Sequence, residues 1–389
     1  MVYGILKCAA RFPIDACRGN GPRREVRRCP LAEFAIQAYM ERYGFKKLLF
    51  CNDSNVGLKA IIAIHSTALG PAVGGTRMWT YASEHDAAMD ALRLARGMTY
   101  KYAAAGINLG GGKAVIVGDP SRDKSEALFR SFGRMVDQLG GEFLTGEDVG
   151  TTLEDMELIY TETDYVVTLP EHCGGVGEIS SATAFGTIEA MHACAEYAWG
   201  SPQLRGRRVA LQGLGAVGWH ALSLLVQEGA EVIVCDIDDE KVGRAVSELG
   251  VRAVPPDSIY DQDVDIFAPY ALGGVINERT VPRLKARIVA GSANNIFEDE
   301  ARDAALLDQR GIVYAVDYIA NSGGTILDTD RLRKGGLQRE RAMANVRKIR
   351  DRTEETFKIA RADGISAYLA ANRMAEARIK AMDYVRLLG

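Results

Sequence analysis

The chain has 389 residues, 47% apolar and 25% charged, with a formal net charge of −4. At about 150 residues per domain this favours two domains, and the apolar content suffices for a buried core, which excludes wholesale disorder. The charge balance excludes an electrostatic footprint for nucleic acid, and no apolar run approaches the ~18 residues of a membrane helix.

Forty-one glycines fall in short blocks without a period. That excludes a collagen-like fibre and points to backbone turns near ligands. The seven cysteines include no Cys-x-x-Cys pair. The sequence therefore carries no metal motif and no disulfide framework, and reduced thiols of a cytoplasmic protein are expected. Residues 1–30 carry Lys7, Arg11, Arg18, Arg23, Arg24, Arg27 and Arg28 against Asp15 and Glu25. This stretch reads as a disordered basic extension.

From Leu31 the pattern is globular. Lys46–Cys51 and Leu58–Ser66 read as strands around an Asn52–Gly57 turn. Ser83 opens a helix with Asp86 as capping partner, and Ala87, Ala88, Ala91, Leu92, Ala95 and Met98 recur on one face. Ala114–Val117 is a short β-rich run, Ser125–Leu139 a helix, and Phe143–Thr145 and Tyr165–Leu169 short strands. Beyond Ser180, strands alternate strictly with helices: Val209–Leu211, Val232–Cys235, Val264–Ala268, Ile288–Ala290 and Val313–Ala315. Such alternation implies parallel βαβ units in a doubly wound sheet. Gln338–Asp363 and Ile365–Leu388 read as two amphipathic helices separated by Gly364.

One motif points to a cofactor. Arg208–Leu211 leads into Gly213-Leu214-Gly215-Ala216-Val217-Gly218, then a helical stretch, then a strand ending at Asp236. In that context GxGxxG lets backbone approach a pyrophosphate at a helix N-terminus. A carboxylate at Asp236 would accept the ribose hydroxyls and repel a 2′-phosphate, so NAD is expected rather than NADP.

The first half holds the chemistry. Gly110-Gly111-Gly112-Lys113 is no Walker loop, because Ile107 and Ala114 stand where that motif needs Gly and Ser or Thr. Lys113 beside three glycines reads instead as a lysine approached closely by substrate and desolvated there, which favours the neutral amine. Lys101 would neighbour it or bind a substrate carboxylate. Asp148, in a Gly-flanked loop, would transfer protons. From the residues alone each lysine can also be a surface charge, and Asp148 a cap for the helix at Thr151–Ile159.

The blocks GPAVGGTRMWTY, ALRLARGMTYK, AAAGINLGGGKAVIVGDP, TGEDVGTT, VDIFAPYALGGVIN, IVAGSANN, GIVYAVDY and AANRMAEARI resemble the Glu/Leu/Phe/Val amino-acid dehydrogenase superfamily, nearest its leucine dehydrogenase branch. The resemblance runs from about Leu31 to Asp383. It implies an α/β fold with two domains: an N-terminal α/β catalytic domain over 31–178, joined by C-terminal helices of 335–389, and a Rossmann-type doubly wound NAD-binding domain over 179–334. It implies reversible oxidative deamination of an L-amino acid to a 2-oxo acid and ammonia, by a homo-oligomer. Lys101 stands at the family's carboxylate-binding lysine, and Lys113 and Asp148 at its catalytic pair. Gly74 and Gly75 fall in its substrate loop, Thr183 at its nicotinamide contact, and Asn295 and Asn321 in segments lining cofactor and cleft. The implied sequence is hydride loss from Cα to an iminium, attack of water activated by Lys113, and proton shuttling by Asp148.

Two departures stand out. Glu178-Ile179-Ser180-Ser181 replaces the branch's usual Asn-Pro-Ser-Pro. The implied side-chain pocket holds Val73, Gly146, Thr325 and Asp328, where the branch has Ala at the second position and Val at the last two. Gly146 would make room. Asp328 would want a cation or donor, from a polar or basic substrate or from a protein group such as Arg331. An ordinary leucine, valine or phenylalanine dehydrogenase, a glutamate dehydrogenase, and a catalytically silent relative are the competing readings. Asp328 opposes the glutamate reading, and retention of Lys101, Lys113 and Asp148 opposes the silent one.

Overall fold

The computed structural model describes residues 36–387 apart from Leu272. The predicted extension over 1–30 lies outside the described residues.

The first half builds a mixed sheet. After helix α1 (Ile36–Tyr43), strands β1 (Lys47–Asp53) and β2 (Leu58–Ser66) form an antiparallel hairpin. Two short strands follow, β3 (Ala72–Val73) and β4 (Thr76–Trp79), then helix α2 (Glu84–Ala104) and strand β5 (Gly110–Val117). Helix α3 (Glu126–Asp137), strand β6 (Phe143–Leu144) and helix α4 (Leu153–Tyr160) complete the unit. The sheet order is β1-β2-β5-β3-β6, with β4 also paired to β5.

Helix α2 starts as expected, with Ser83 Oγ accepting from Asp86 N–H. Its buried face, Ala87, Ala88, Ala91, Leu92 and Ala95, is almost all alanine, so the helix axis lies close to the sheet. The three glycines expected beside a ligand lie inside β5 instead. A Cβ on Gly111 would fall 2.2 Å from Thr99 N, on Gly110 2.0 Å from Ser66 O, and on Gly112 2.7 Å from the Phe143 ring. Close packing of helix and strands, not access for substrate, requires them.

The second half is an all-parallel sheet. Helix α5 (Ser180–Trp199) leads to β7 (Arg208–Gln212), α6 (Ala216–Gln227), β8 (Glu231–Cys235), α7 (Asp239–Leu249) and β9 (Arg252–Ala253). The chain then crosses to β10 (Ile266–Pro269), β11 (Ile288–Val289), α8 (Glu300–Gln309) and β12 (Val313–Tyr314). The order β12-β11-β10-β7-β8-β9 reverses direction between β7 and β10, the switch point where doubly wound sheets open a crevice. Short helices α9 (Asp317–Ala320) and α10 (Gly323–Thr329) follow, then α11 (Arg339–Arg347), α12 (Ile349–Asp363) and α13 (Ala367–Leu387). The last helices bind both units. Helix α12 lies on α5, and Arg378 of α13 donates to the Tyr102, Ala103 and Ile107 carbonyls at the end of α2.

Two expected elements differ. Tyr165–Leu169 is not a strand: a single bridge joins Thr145 to Val166, and Thr168 then turns to φ 57°. The helix expected over 338–363 breaks at Lys348, where the turn seats buried Ile349 against Gly186 of α5. Helix α1 and strands β3, β4 and β9 were not expected; β3 and β9 are two residues each and β4 four.

Candidate active site

Helix α2, strand β5 and the loop after β6 converge on one cleft. Lys113 projects from β5 and is 3% exposed. Its Nζ donates to Asp148 Oδ2, and Arg77 Nε from β4 donates to Asp148 Oδ1 at 3.2 Å. The Asp148 loop is fixed by its own backbone. Asp148 N–H donates to Thr151 Oγ1 at 2.9 Å, and Thr151 Oγ1 donates to the Thr76 carbonyl at 2.9 Å. Asp148 is therefore not the cap of α4; Thr152 is, in a capping box with Asp155. Burial alone would raise the Asp148 carboxyl, but Lys113 and Arg77 outweigh it and hold it below the usual carboxylate range.

Gly74 and Gly75 let these pieces meet. A Cβ on Gly74 would stand 1.8 Å from Gly112 O, and one on Gly75 2.4 Å from Glu147 O and 2.9 Å from Asp148 Cβ. Any side chain there would push β5 and the Asp148 loop apart.

The Lys101 ammonium, in the last turn of α2, makes no hydrogen bond among the described residues. Burial pulls its ammonium down to about 8, against the opposing pull of Asp317, while Lys113 lowers it further. Asp317, at the start of α9, accepts from Tyr318 N–H at 2.7 Å and also from the Asn295 and Ile296 N–H groups. Lys101 thus faces a carboxylate of the second unit across the cleft. Asn295 itself is exposed, holds φ 52°, and accepts from Gly274 N–H at 2.9 Å. Asn321 is 4% exposed; its Nδ2 donates to Ser292 O and Asn294 Oδ1, while its buried Oδ1 has no partner among the described residues. Such an orphan acceptor suits a donor carried by a ligand.

The Gly-rich turn has the form a pyrophosphate needs. Gly213 adopts φ 101° at the end of β7, a conformation only Gly takes freely. A Cβ on Gly218 would lie 2.1 Å from Gly213 O, so that residue packs helix on strand. Gly215 meets nothing within 4 Å, is exposed with Ala216, and starts α6 without a side-chain cap. The first-turn N–H groups of α6, at Ala216 and Val217, are left for an anion. Asp236, at the end of β8, accepts from Leu214 N–H at 2.5 Å and Asp238 N–H at 2.9 Å. These residues fit a dinucleotide.

Thr183 Oγ1 donates to Ile179 O and accepts from Gly324 N–H, both at 3.1 Å, which leaves one lone pair for a ligand donor. Two assignments need revision. Gly146 makes no room for a substrate, because a Cβ there would lie 2.7 Å from both Thr168 Oγ1 and Val167 Cγ2. Asp328 does not present a free carboxylate. Both its oxygens accept from Thr168 N–H, and Thr168 Oγ1 donates to it at 3.3 Å. Arg331 lends only electrostatic support, since its guanidinium donates to the Val166 carbonyl. Val73 packs with Tyr102, Leu109, Leu144 and Val167 in an apolar cluster, and Thr325 is half-buried on α10, one turn before Asp328.

Sequence reasoning missed Arg77, Asp90 and Asp317. Arg77 NH1 bonds Asp90 at 3.0 Å, and Tyr81 O–H donates to the same oxygen at 2.7 Å. The signal was present in the Thr76-Arg77-Met78-Trp79 block, but only the fold brings it to Asp148.

Comparison with known proteins agrees with this geometry. Residues 47–165 match the Glu/Leu/Phe/Val dehydrogenase dimerisation domain, and 174–239 with 238–382 match the glutamate/leucine/phenylalanine/valine dehydrogenase domain. A leucine dehydrogenase of Geobacillus stearothermophilus is 54% identical over 348 residues, 90% of this chain and 94% of that protein. A phenylalanine dehydrogenase of Caldalkalibacillus thermarum is 45% identical, covering 86% and 91%. The crystal structure of an L-tryptophan dehydrogenase from Nostoc punctiforme superposes with a TM-score of 0.79 at 41% identity, covering 89% of this chain and 99% of that one. The chain belongs to the glutamate/leucine/phenylalanine/valine dehydrogenase family and is an amino-acid dehydrogenase.

Proposed function

We propose that the protein catalyses reversible, NAD-dependent oxidative deamination of an L-amino acid with an apolar side chain, giving a 2-oxo acid and ammonia. The Lys113–Asp148 pair in one cleft with an unpaired Lys101 carries the reading.

Lys101 binds the α-carboxylate and sets the register of Cα. The Gly213–Gly218 turn and Asp236 would hold NAD, which when bound would supply the hydride acceptor. Asp148 takes and returns protons at the substrate nitrogen, its charge held by Arg77. Lys113, screened from bulk solvent, activates the water that attacks the iminium carbon.

The side-chain class follows from Asp328. Its carboxylate finds donors at Thr168, so no cation on the substrate is needed, and the neighbouring cluster of Val73, Leu144 and Val167 is apolar. A panel of L-amino acids with NAD, followed by NADH absorbance, tests this. Turnover highest with branched-chain or aromatic substrates is expected; no turnover with any amino acid would overturn the function.

Assembly into a homo-oligomer is part of the same proposal. The edge strand β1 lies in the segment matching the dimerisation domain and exposes Phe50 at 54%. Light scattering after size exclusion would read the mass. Among the described residues no helix is long and apolar enough to cross a membrane.

A further inference from the structure

Away from the cleft, three residues of different donor chemistry meet. Glu157 lies on α4, and His172 and Cys173 on a single 3₁₀ turn, Glu171–Cys173, at the head of the segment joining the two sheets. Their carboxylate, imidazole and thiol donors all lie within 4.8 Å of one another. Glu157 Oε1 and His172 Nε2 are 3.1 Å apart.

We propose that Glu157, His172 and Cys173 form a binding site for one divalent cation of the zinc class, with a fourth position open to water.

The donor set selects the ion. Thiolate with imidazole favours zinc-like ions over magnesium or calcium, which take oxygen ligands. Bonds of about 2.0–2.3 Å in tetrahedral geometry set donors roughly 3.3–3.8 Å apart. The carboxylate–imidazole separation of 3.1 Å is already near that value, and the thiol lies within 4.8 Å of both donors. The half-buried Cys173 and Glu157 leave an open side, as a three-ligand site with bound water requires.

The backbone under the turn is held firmly. Gly174 takes φ 79° and its N–H donates to Glu171 O at 3.0 Å, while a Cβ on Gly175 would lie 1.8 Å from Leu169 O. This fixes where His172 and Cys173 leave the chain. The thiol binds a metal as the thiolate, so metal binding must displace its proton: the S–H bond breaks, the S–metal bond forms, and H⁺ is released to solvent. Occupancy would tie α4, which follows the Asp148 loop, to the connector leading into α5. No spacing in the sequence announces the site, because Glu157 arrives from a separate helix.

The test uses the full reduced chain, freed of metal and titrated with Co²⁺, then with Zn²⁺ in competition. A thiolate-to-cobalt charge-transfer band saturating at one ion per chain, displaced by Zn²⁺, is expected. The chain has six other cysteines, so Cys173→Ser alone is not decisive. Glu157→Gln and His172→Ala keep every thiol, and each should weaken Co²⁺ binding tenfold or more, with dehydrogenase activity retained as the check on folding. No band in the parent chain, or equal Co²⁺ affinity in those two variants, overturns the proposal.

Discussion

Both oxygens of Asp328 accept the N–H of Thr168, at 3.0 and 3.1 Å, and Thr168 is held at φ 57°. A β-branched residue in the left-handed region is strained, and such strain persists only where surroundings impose it. Gly146 completes the arrangement, since the space its missing methyl leaves is filled by Thr168 and Val167. Two residues that depart from the leucine dehydrogenase pattern, Gly146 and Asp328, are thus linked through Thr168.

Asp328→Val should destabilise the protein without retuning the substrate. It leaves the buried Thr168 N–H without an acceptor, at a cost of about 1–3 kcal/mol. Urea denaturation would show the loss. The ratio of kcat/KM for leucine over a polar amino acid should stay near that of the parent. A tenfold rise in that ratio would mean the carboxylate does read the side chain.

The same residue gives stability a pH dependence. Burial, only partly offset by the Thr168 N–H, raises the Asp328 carboxyl from 3.8 to about 6. Between those values the folded state binds the proton more tightly than the unfolded state. This contribution therefore favours folding at pH 4 and is lost as pH rises to about 6. Asp328→Asn cannot titrate, so its stability relative to the parent should improve from pH 4 to 6 and then level off. Parallel stability curves for the two proteins would refute this assignment.

Much of this was legible in advance, and the exceptions have physical causes. The five long-sheet strands of the second half, the Ser83 cap and the Gly213 turn follow from period and turn chemistry, which are local. The glycines before Lys113 misled because a strand glycine facing a helix and a loop glycine facing a ligand look alike in sequence. Asp328 misled because its donor is a backbone N–H 160 residues away, which no side-chain pattern reveals.

Cofactor choice rests on Asp236. Its carboxylate sits on the Leu214 N–H of the Gly-rich turn, at the point where the ribose hydroxyls of NAD are expected. Comparison of kcat/KM for the two cofactors should favour NAD, and Asp236→Ser should narrow the gap by removing repulsion of the 2′-phosphate. Equal values in the parent chain would refute the reading.

Lys113→Ala should lower kcat by about 10²–10⁴-fold, the range for loss of a proton-transfer group. The lysine lies on β5, apart from the Gly213 turn, so NADH affinity followed by fluorescence should stay unchanged. Loss of both together would indicate a misfolded variant, which circular dichroism would reveal. Activity near that of the parent would remove Lys113 from the mechanism.

Arg77 is the residue whose role the fold alone discloses. It spans two carboxylates, Asp148 at 3.2 Å and Asp90 at 3.0 Å, and so acts on the reaction through Asp148 as a positioning residue. With Lys113 it holds the Asp148 carboxyl low, against burial. In Arg77→Gln one of those two cations is gone, and the carboxyl rises. Asp148 is then protonated at a higher pH, and the acid limb of the kcat profile should move to higher pH. A fall in kcat of about tenfold is expected as the carboxylate keeps Lys113 and the Val149 N–H but loses the third of its anchors, with the KM for the amino acid little changed, because Lys101, the residue proposed to bind the α-carboxylate, is untouched. Arg77→Lys, which keeps charge but not the two-way reach, should restore the acid limb more than it restores kcat. A purely structural role would lower stability and leave the position of the limb where it was. An unshifted acid limb in Arg77→Gln therefore separates the two roles and would assign Arg77 to structure alone.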